Sequence, residues 1–415
     1  MPTQSSATKT KVAPKRPQLE VEGRAFLYPY YAGFSFNWAL EEIRRRELPA
    51  DALILDPYNG GGTTTTAASI CGHHAVGLDM NPAAVVASLA RLSGVEAGPY
   101  LKRARLGGEP PASTVSLGEQ WLAPQSAREF GAVARRLLAF ASRDKSIGPD
   151  SPTALARVVL FRSLRKLTAS FEGSNPTWVR QPRDHRERLR PSREAILATV
   201  RQELSEVSDV VCCWPIPSTS AVVCTADARR LPVRNASVDL VLTSPPYCTR
   251  IDYAVATLRE LSILGYSTRD VESLRRALTG TTLNTRSRHL SEKALCEASK
   301  DLLDRITEHP ARDSSGYYRR QFQQYLTDAS AACKEIARVL KPGGKCVLVV
   351  QDSYYQDIHV RLGQIFEQEM ASSGLSLDSL EETEVVRNLI TLNTQASAAR
   401  GSAPVSEFVL HMRKL

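Results

Sequence analysis

Several stretches of this 415-residue chain have the residue types and spacing to do chemistry. The first is Thr243-Ser244-Pro245-Pro246-Tyr247, which follows directly on the apolar run Val238-Asp239-Leu240-Val241-Leu242. The run reads as a buried strand. Two prolines, with no N–H donors and a fixed φ, cannot extend a ladder, so the chain must leave the sheet stiffly there. A hydroxyl stands before that turn and an aromatic ring after it, and the carboxyl ends of strands are where open α/β sheets hold their ligands. The second stretch is Asp56-Pro57-Tyr58-Asn59-Gly60-Gly61-Gly62-Thr63-Thr64, after the short strand Ala52–Leu55. Its glycines let a ligand approach the backbone closely. The acid ahead of them would repel a pyrophosphate, and no Gly-Lys-Ser/Thr follows, so neither a nicotinamide turn nor a phosphate-cradling loop fits. An acid suits a cationic ligand group instead. Two further acids fall at predicted strand ends: Asp79, after Ala75–Leu78, and Asp227, after Ala221–Cys224. Asp79 lies about 20 positions beyond the first turn, the spacing at which an acid bonds ribose hydroxyls.

The Ser244-Pro245-Pro246-Tyr247 stretch resembles the catalytic Asp/Asn/Ser-Pro-Pro-Tyr/Phe loop of DNA methyltransferases that modify exocyclic amines of bases. Its Ser-first form is similar to the cytosine-N4 branch. The Asp56 run resembles the first cofactor motif of these enzymes, Gly77-Leu78-Asp79-Met80-Asn81-Pro82 the second, and Asp227-Ala228 the third. The aromatic segment Ala25 to Ser35 is similar to their N-terminal cofactor segment. The resemblance covers about Ala25–Leu92 and Ala221–Leu415.

That resemblance implies S-adenosyl-L-methionine as cofactor, held by Phe34 and Ser35, by Asp56, Pro57, Gly60, Gly62 and Thr63, by Asp79 and Met80, and by Asp227 and Ala228. Asp56 would face the methionine end, Asp79 the ribose, and Asp227 the adenine amino group. Ser244, Pro245, Pro246 and Tyr247 would form the catalytic loop. There the Ser244 hydroxyl and the Pro245 carbonyl accept the N–H groups of the target amine, and Tyr247 stacks on a base taken out of the duplex. The implied reaction is methylation of cytosine N4 in double-stranded DNA, in a restriction-modification or genome-marking role, with a cognate restriction endonuclease as a conceivable partner. Adenine-N6 methylation, RNA methylation and an inactive nucleic-acid-binding fold are the alternatives. Attack by Cys248 on a cytosine ring is disfavoured, because the cysteine-dependent family places its nucleophile after a single proline and needs a Glu-Asn-Val run that this chain lacks.

The resemblance implies an α/β frame: a Rossmann-like class I methyltransferase fold, mainly parallel, with a terminal antiparallel hairpin and a mostly helical insertion. The pattern predicts helices at Asn37 to Arg46, with Ser35 or Asn37 as cap, at Pro82 to Leu92 with proline in the first turn, and at Phe322 to Leu340. Strand Lys345–Val350 follows Lys341-Pro342-Gly343-Gly344, and an amphipathic helix runs from His359 to Met370. Leu377 to Asn388 and Ser406–Met412 read as the closing hairpin.

Residues 18–92 and 221–415 are expected to form the catalytic domain, and residues 93–220 an inserted target-recognition region. The insertion is helical (Ala127 to Ser142, Leu155 to Thr168) and rich in arginine, with aromatics between. That composition points to phosphate and base contacts through Arg165, Lys166, Trp178, Arg180, Arg183 and Arg186, joined by Arg250 beyond the catalytic loop.

The net charge of +9 agrees with a polyanionic partner. Eight scattered cysteines without a Cys-x-x-Cys pair argue against a zinc ribbon or a disulfide framework and fit a reducing, cytoplasmic setting. No metal site is expected. No apolar run approaches the roughly 18 residues of a membrane span, and the first residues carry no hydrophobic signal core. Residues 1–17 read as a disordered basic tail.

Overall fold

The computed structural model describes residues 23–29, 33–108, 115–143, 151–173, 179–217, 220–248, 251–281, 283, 292–385 and 405–415. Its strands are β1 (Leu53–Asp56), β2 (His74–Asp79), β3 (Ala221–Thr225), β4 (Val238–Thr243), β5 (Leu340–Gln351), β6 (Ser353–Tyr355), β7 (Ile358–Val360), β8 (Leu375–Val385) and β9 (Val405–Lys414). Among the described residues, seven of them form one sheet in the order β3-β2-β1-β4-β5-β9-β8, and β6 and β7 pair separately. The five strands from β3 to β5 run parallel, and β9 and β8 close the edge antiparallel. This is the Rossmann-like class I methyltransferase arrangement expected from the sequence, terminal hairpin included.

The chain steps outward from β1 through β2 to β3, then returns to β4 on the other side of β1. That reversal opens a crevice at the carboxyl ends of β1 and β4, the position where such sheets bind ligands. Strands buried on both faces must be apolar at successive positions. Ile54, Leu240, Leu242, Val347 and Val349 face one layer. Leu55, Val241, Cys346, Leu348 and Val350 face the other.

The first layer is α1 (Phe36–Arg44) and α2 (Thr63–Ile70). Ser35 caps α1, its hydroxyl accepting from Trp38 N–H. Helix α3 (Pro82–Arg91) is capped by Asn81 with proline in the first turn. The insertion supplies α4 (Ala97–Lys102), α5 (Pro124–Ala141), α6 (Ser151–Leu167) and α7 (Arg193–Cys213). Its core side chains, among them Phe130, Phe161, Ile196 and Val207, pack in one cluster with Ala83, Val86 and Ala90 of α3 and with Leu27 and Tyr28. Residues 93–220, expected to be an insertion, are thus continuous in packing with α3 of the β2–β3 crossover. After β4 come α8 (Tyr253–Ala256), α9 (Leu258–Ile263), α10 (Thr268–Ala277), α11 (Glu297–Glu308), α12 (Arg319–Val339) and α13 (Leu362–Ser372). The last three cover the second face of the sheet.

Several expectations shift. Strand β5 begins at Leu340, because Lys341-Pro342-Gly343-Gly344 bulges inside it: Val238 pairs with Leu340 and Leu240 with Lys345. The helix expected from His359 starts at Leu362, since 358–360 pair with 353–355 in a small hairpin. Asn388 and the basic tail lie outside the described residues, and among those residues no helix is long and apolar enough to cross a membrane.

Candidate active site at the carboxyl ends of β1, β2 and β4

The turn after β1 is built for close approach. Gly60 and Gly62 have φ of 48° and 85°, in the left-handed region that favours glycine. Gly62 also has no room for a side chain: a Cβ there would lie 2.3 Å from Ser88 Oγ and 2.8 Å from Ser88 Cβ. Asn59 stitches the turn to its surroundings, donating from Nδ2 to Ser88 Oγ at 2.8 Å and accepting at Oδ1 from Thr65 Oγ1 at 3.2 Å.

Two carboxylates close this turn from below. Asp56, 2 % exposed at the end of β1, accepts from Thr243 Oγ1 (2.6 Å), Thr64 Oγ1 (2.7 Å) and the Tyr58 N–H (3.0 Å). The Thr243 bond ties the glycine turn to the last residue of β4. Asp79, at the end of β2, accepts from the Gly60 N–H (2.8 Å) and the Asn81 N–H (2.7 Å). Burial raises both carboxyls to about 6. Their partners are hydroxyl and amide donors, and among the described residues neither carboxylate forms an ion pair.

The Ser-Pro-Pro-Tyr loop leaves β4 across the crevice from this turn. Ser244 Oγ donates to Tyr247 Oη at 3.1 Å, so its lone pairs stay available to a ligand N–H. The Pro246 carbonyl is occupied by Tyr325 Oη at 2.9 Å. Tyr247 is half-buried against the core, and burial pushes its phenol well above the usual range. In this structure the ring is therefore tucked under the loop and does not line the cleft.

The two loops open on one solvent-connected cleft of about 900 Å³. Its lining takes Gly33 and Phe34 before α1, Asp56, Pro57, Tyr58, Asn59, Gly60, Gly61 and Thr63 after β1, Asp79, Met80 and Asn81 after β2, and Arg91 of α3. Ser244, Pro246 and Tyr253 lie at the acceptor end, and Ala226, Ala228, Leu278 and Thr279 form the far wall. Of the residues expected at the cofactor, Phe34, Asp56, Pro57, Gly60, Thr63, Asp79, Met80 and Ala228 line this cleft. Ser35 is spent on capping α1, and Gly62 packs against Ser88 behind the turn. Asp227 is outside the lining, and its carboxylate pairs with Arg229 at 2.7 Å. Pro245 is buried beside the cleft, outside its lining. Leu278 and Thr279 were not anticipated: they arrive from a polar helical stretch that carries no local motif. On the other side of the loop a smaller pocket of about 250 Å³ is lined by Cys248, Gly280, Thr281, Gln321, Gln324 and Tyr325.

The basic residues expected to meet nucleic acid divide. Arg165 is absorbed into the fold: it pairs with Glu260, donates to Tyr28 Oη at 2.6 Å and stacks over the Tyr28 ring. Lys166 pairs with Glu203 at 3.1 Å. Arg180 pairs with Glu187 at 2.8 Å and covers Phe171. Arg183 and Arg186 are exposed, the Arg183 guanidinium 3.9 Å from Glu187 and its backbone N–H donating to the same carboxylate at 3.0 Å. Trp178 and Arg250 lie outside the described residues.

No protein-family model matches the chain. It is 26% identical over 153 residues to the type II methyltransferase M.AvaI of Nostoc sp. (strain PCC 7120), a match covering 34% of this chain and 32% of that protein. It is 23% identical over 296 residues to the type II methyltransferase M.BsoBI of Geobacillus stearothermophilus, covering 62% and 56%. The matches thus span about a third and just over half of the lengths of these relatives. Among solved structures, a SAM-dependent methyltransferase from Methanosarcina mazei aligns over 90% of this chain and 97% of its own with 11% identity and a TM-score of 0.32. At that score the strand order, and not the overlay, is what defines the fold.

Proposed function

We propose that the chain is an S-adenosyl-L-methionine-dependent DNA methyltransferase acting on an exocyclic amino group, that of cytosine N4. One observation carries the reading. The glycine turn with its two buried acids and the Ser-Pro-Pro-Tyr loop, separated by over a hundred residues, open on a single cleft and are tied together through Asp56 and Thr243. The similarity to two type II methyltransferases supports it.

The cleft fits the cofactor. Buried carboxylates without a cationic partner suit a ligand that brings a positive group and hydroxyls: Asp56 toward the amino acid end, Asp79 toward the ribose. The apolar wall of Met80, Ala228 and Leu278 suits a flat base. When bound, S-adenosylmethionine supplies an electrophilic methyl group on a sulfonium.

The chain's own residues do the rest. The amino nitrogen of cytosine is a poor nucleophile, because its lone pair is delocalised into the ring. Ser244 Oγ accepts one amine N–H as Tyr247 leaves it, and the Pro245 carbonyl, buried in this structure, accepts the other. Both bonds favour a pyramidal nitrogen aimed into the cleft. The proline pair fixes those acceptors, so the acceleration is mainly one of proximity and orientation. Tyr247 swings from under the loop to stack on the extruded base, whose unstacking costs a few kcal/mol. Exposed Arg183 and Arg186 meet phosphates, while Arg165 and Lys166 brace the insertion that presents them.

The test is transfer of labelled methyl groups to unmodified genomic DNA by the wild-type protein beside Ser244→Ala. Transfer by the wild type alone supports the reading, and equal transfer by both would remove Ser244 from the mechanism. Label in RNA but not in DNA would replace the substrate class.

A further inference from the structure

The structure assigns Arg229 a positioning role: together with Asp227 and Asp328 it holds the base-binding end of the cleft in shape, and Asp227 serves that clamp instead of receiving an amino group from the ligand. The inference rests on the cofactor reading above for the identity of that base.

The far wall is assembled from segments with no local reason to meet. Ala226 and Ala228 follow β3, Leu278 and Thr279 follow α10, and Met80 follows β2. Arg229 touches all of them or their neighbours. Its Nη2 donates to the Ala277 carbonyl at 2.8 Å and approaches Met80 Sδ at 3.8 Å, and Nη1 donates to Asp328 of α12 at 2.8 Å. The side chain is only 11% exposed. A planar guanidinium has its donors in a fixed fork, so satisfying them sets the spacing of the segments that supply the acceptors.

Asp227 is consumed by the same arrangement. Its Oδ1 accepts from the Arg229 backbone N–H (2.9 Å) and from Nε (2.8 Å), and its Oδ2 accepts from Nη2 (2.7 Å) and Nε (3.1 Å). Three N–H groups thus engage both oxygens, the Nε hydrogen being shared between them; the Asp227 side chain, 34% exposed, does not line the cleft. A ligand amine at Asp227 would compete with the Arg229 guanidinium, whose bonds to the carboxylate are ionised on both sides.

The experiment titrates S-adenosylhomocysteine and S-inosylhomocysteine, in which a ring carbonyl replaces the adenine amine, into wild type, Asp227→Asn, Arg229→Gln and Arg229→Lys, with melting temperatures recorded alongside. The clamp predicts that Asp227→Asn and Arg229→Gln weaken both ligands by about tenfold or more, the scale of one lost charged hydrogen bond. The ratio of the two affinities then stays near the wild-type value, and Arg229→Lys recovers only part of the loss. A selective gain of Asp227→Asn for the carbonyl ligand would overturn the proposal, because it would place Asp227 on the amine. Unchanged affinities at a lowered melting temperature would also overturn it, leaving Arg229 a general stabiliser. Should Arg229→Gln fail to fold, the Asp227→Asn ratio decides. Wild type binding neither ligand would instead remove the cofactor reading, and the inference with it.

Discussion

Gly62→Ala is the sharpest probe of the turn that shapes the cleft. A side chain at this φ of 85° costs roughly 1–2 kcal/mol relative to glycine. A Cβ placed 2.3 Å from Ser88 Oγ, 2.8 Å from its Cβ and 3.0 Å from its Cα must also force helices α2 and α3 apart. Overpacking of that kind costs typically about 1–3 kcal/mol, for a total of about 2–5 kcal/mol, a large share of an ordinary folding free energy. Gly72→Ala is the matched control. Its φ is 81°, but a Cβ there meets nothing within 4 Å, so only the conformational part applies. Denaturant melts of the two variants separate the steric contribution, and titration with S-adenosylhomocysteine reads the turn itself. Gly62→Ala should be destabilised by about 1–3 kcal/mol more than Gly72→Ala and should bind more weakly, while Gly72→Ala binds as wild type. Equal destabilisation of the two, or full binding by Gly62→Ala, would refute the claim that the turn is packed to its limit against Ser88.

Ser244→Ala should abolish methyl transfer while leaving S-adenosylhomocysteine affinity at the wild-type level; a parallel loss of both would make Ser244 part of the cofactor site. Asp56 and Asp79 have folded values of about 6 against 3.8 for the free carboxyl, so the native state holds their protons longer than the unfolded one. Stability is then greatest at low pH on their account, falls as pH rises from about 4 to about 6, and is level above that. A ligand that needs both carboxylates ionised shows the reverse trend: affinity weakens below pH of about 6 and binding near there releases protons. Calorimetry in buffers of different ionisation enthalpy checks this, and a pH-independent affinity would contradict it. Arg165→Gln strands the buried Glu260 without its partner, so it should cost roughly 3–5 kcal/mol. Arg186→Ala should leave stability within about 0.5 kcal/mol and lower duplex affinity, reducing the salt slope by about one; the two variants exchanging these outcomes would reverse the division of the arginines.

The sheet and the two loops were legible because they are local. Apolar runs set the strands, glycines and prolines punctuated them, and the acids at strand ends fell where the ligand crevice opens. What could not be read depends on partners distant in sequence. Arg165 resembles a phosphate contact until Glu260, 95 positions on, is brought beside it. The clamp proposed for Asp227 depends on Arg229 joining it to Asp328 and Ala277, both distant in sequence. The 353–355 and 358–360 hairpin is too short and too polar for its alternation to register. Leu278 and Thr279 follow α10 and reach the far wall beside Ala277, whose carbonyl accepts from the distant Arg229, a placement that no spacing within residues 254–330 encodes.

Whether the cleft methylates cytosine N4 is tested most directly by incubating the protein with methyl-labelled S-adenosylmethionine and unmodified DNA, digesting to nucleosides and separating them by mass spectrometry. The proposed function predicts label in N4-methyldeoxycytidine and none after Ser244→Ala. Label in N6-methyldeoxyadenosine would keep the cleft and overturn the base, and DNA without label would contradict the proposed function itself.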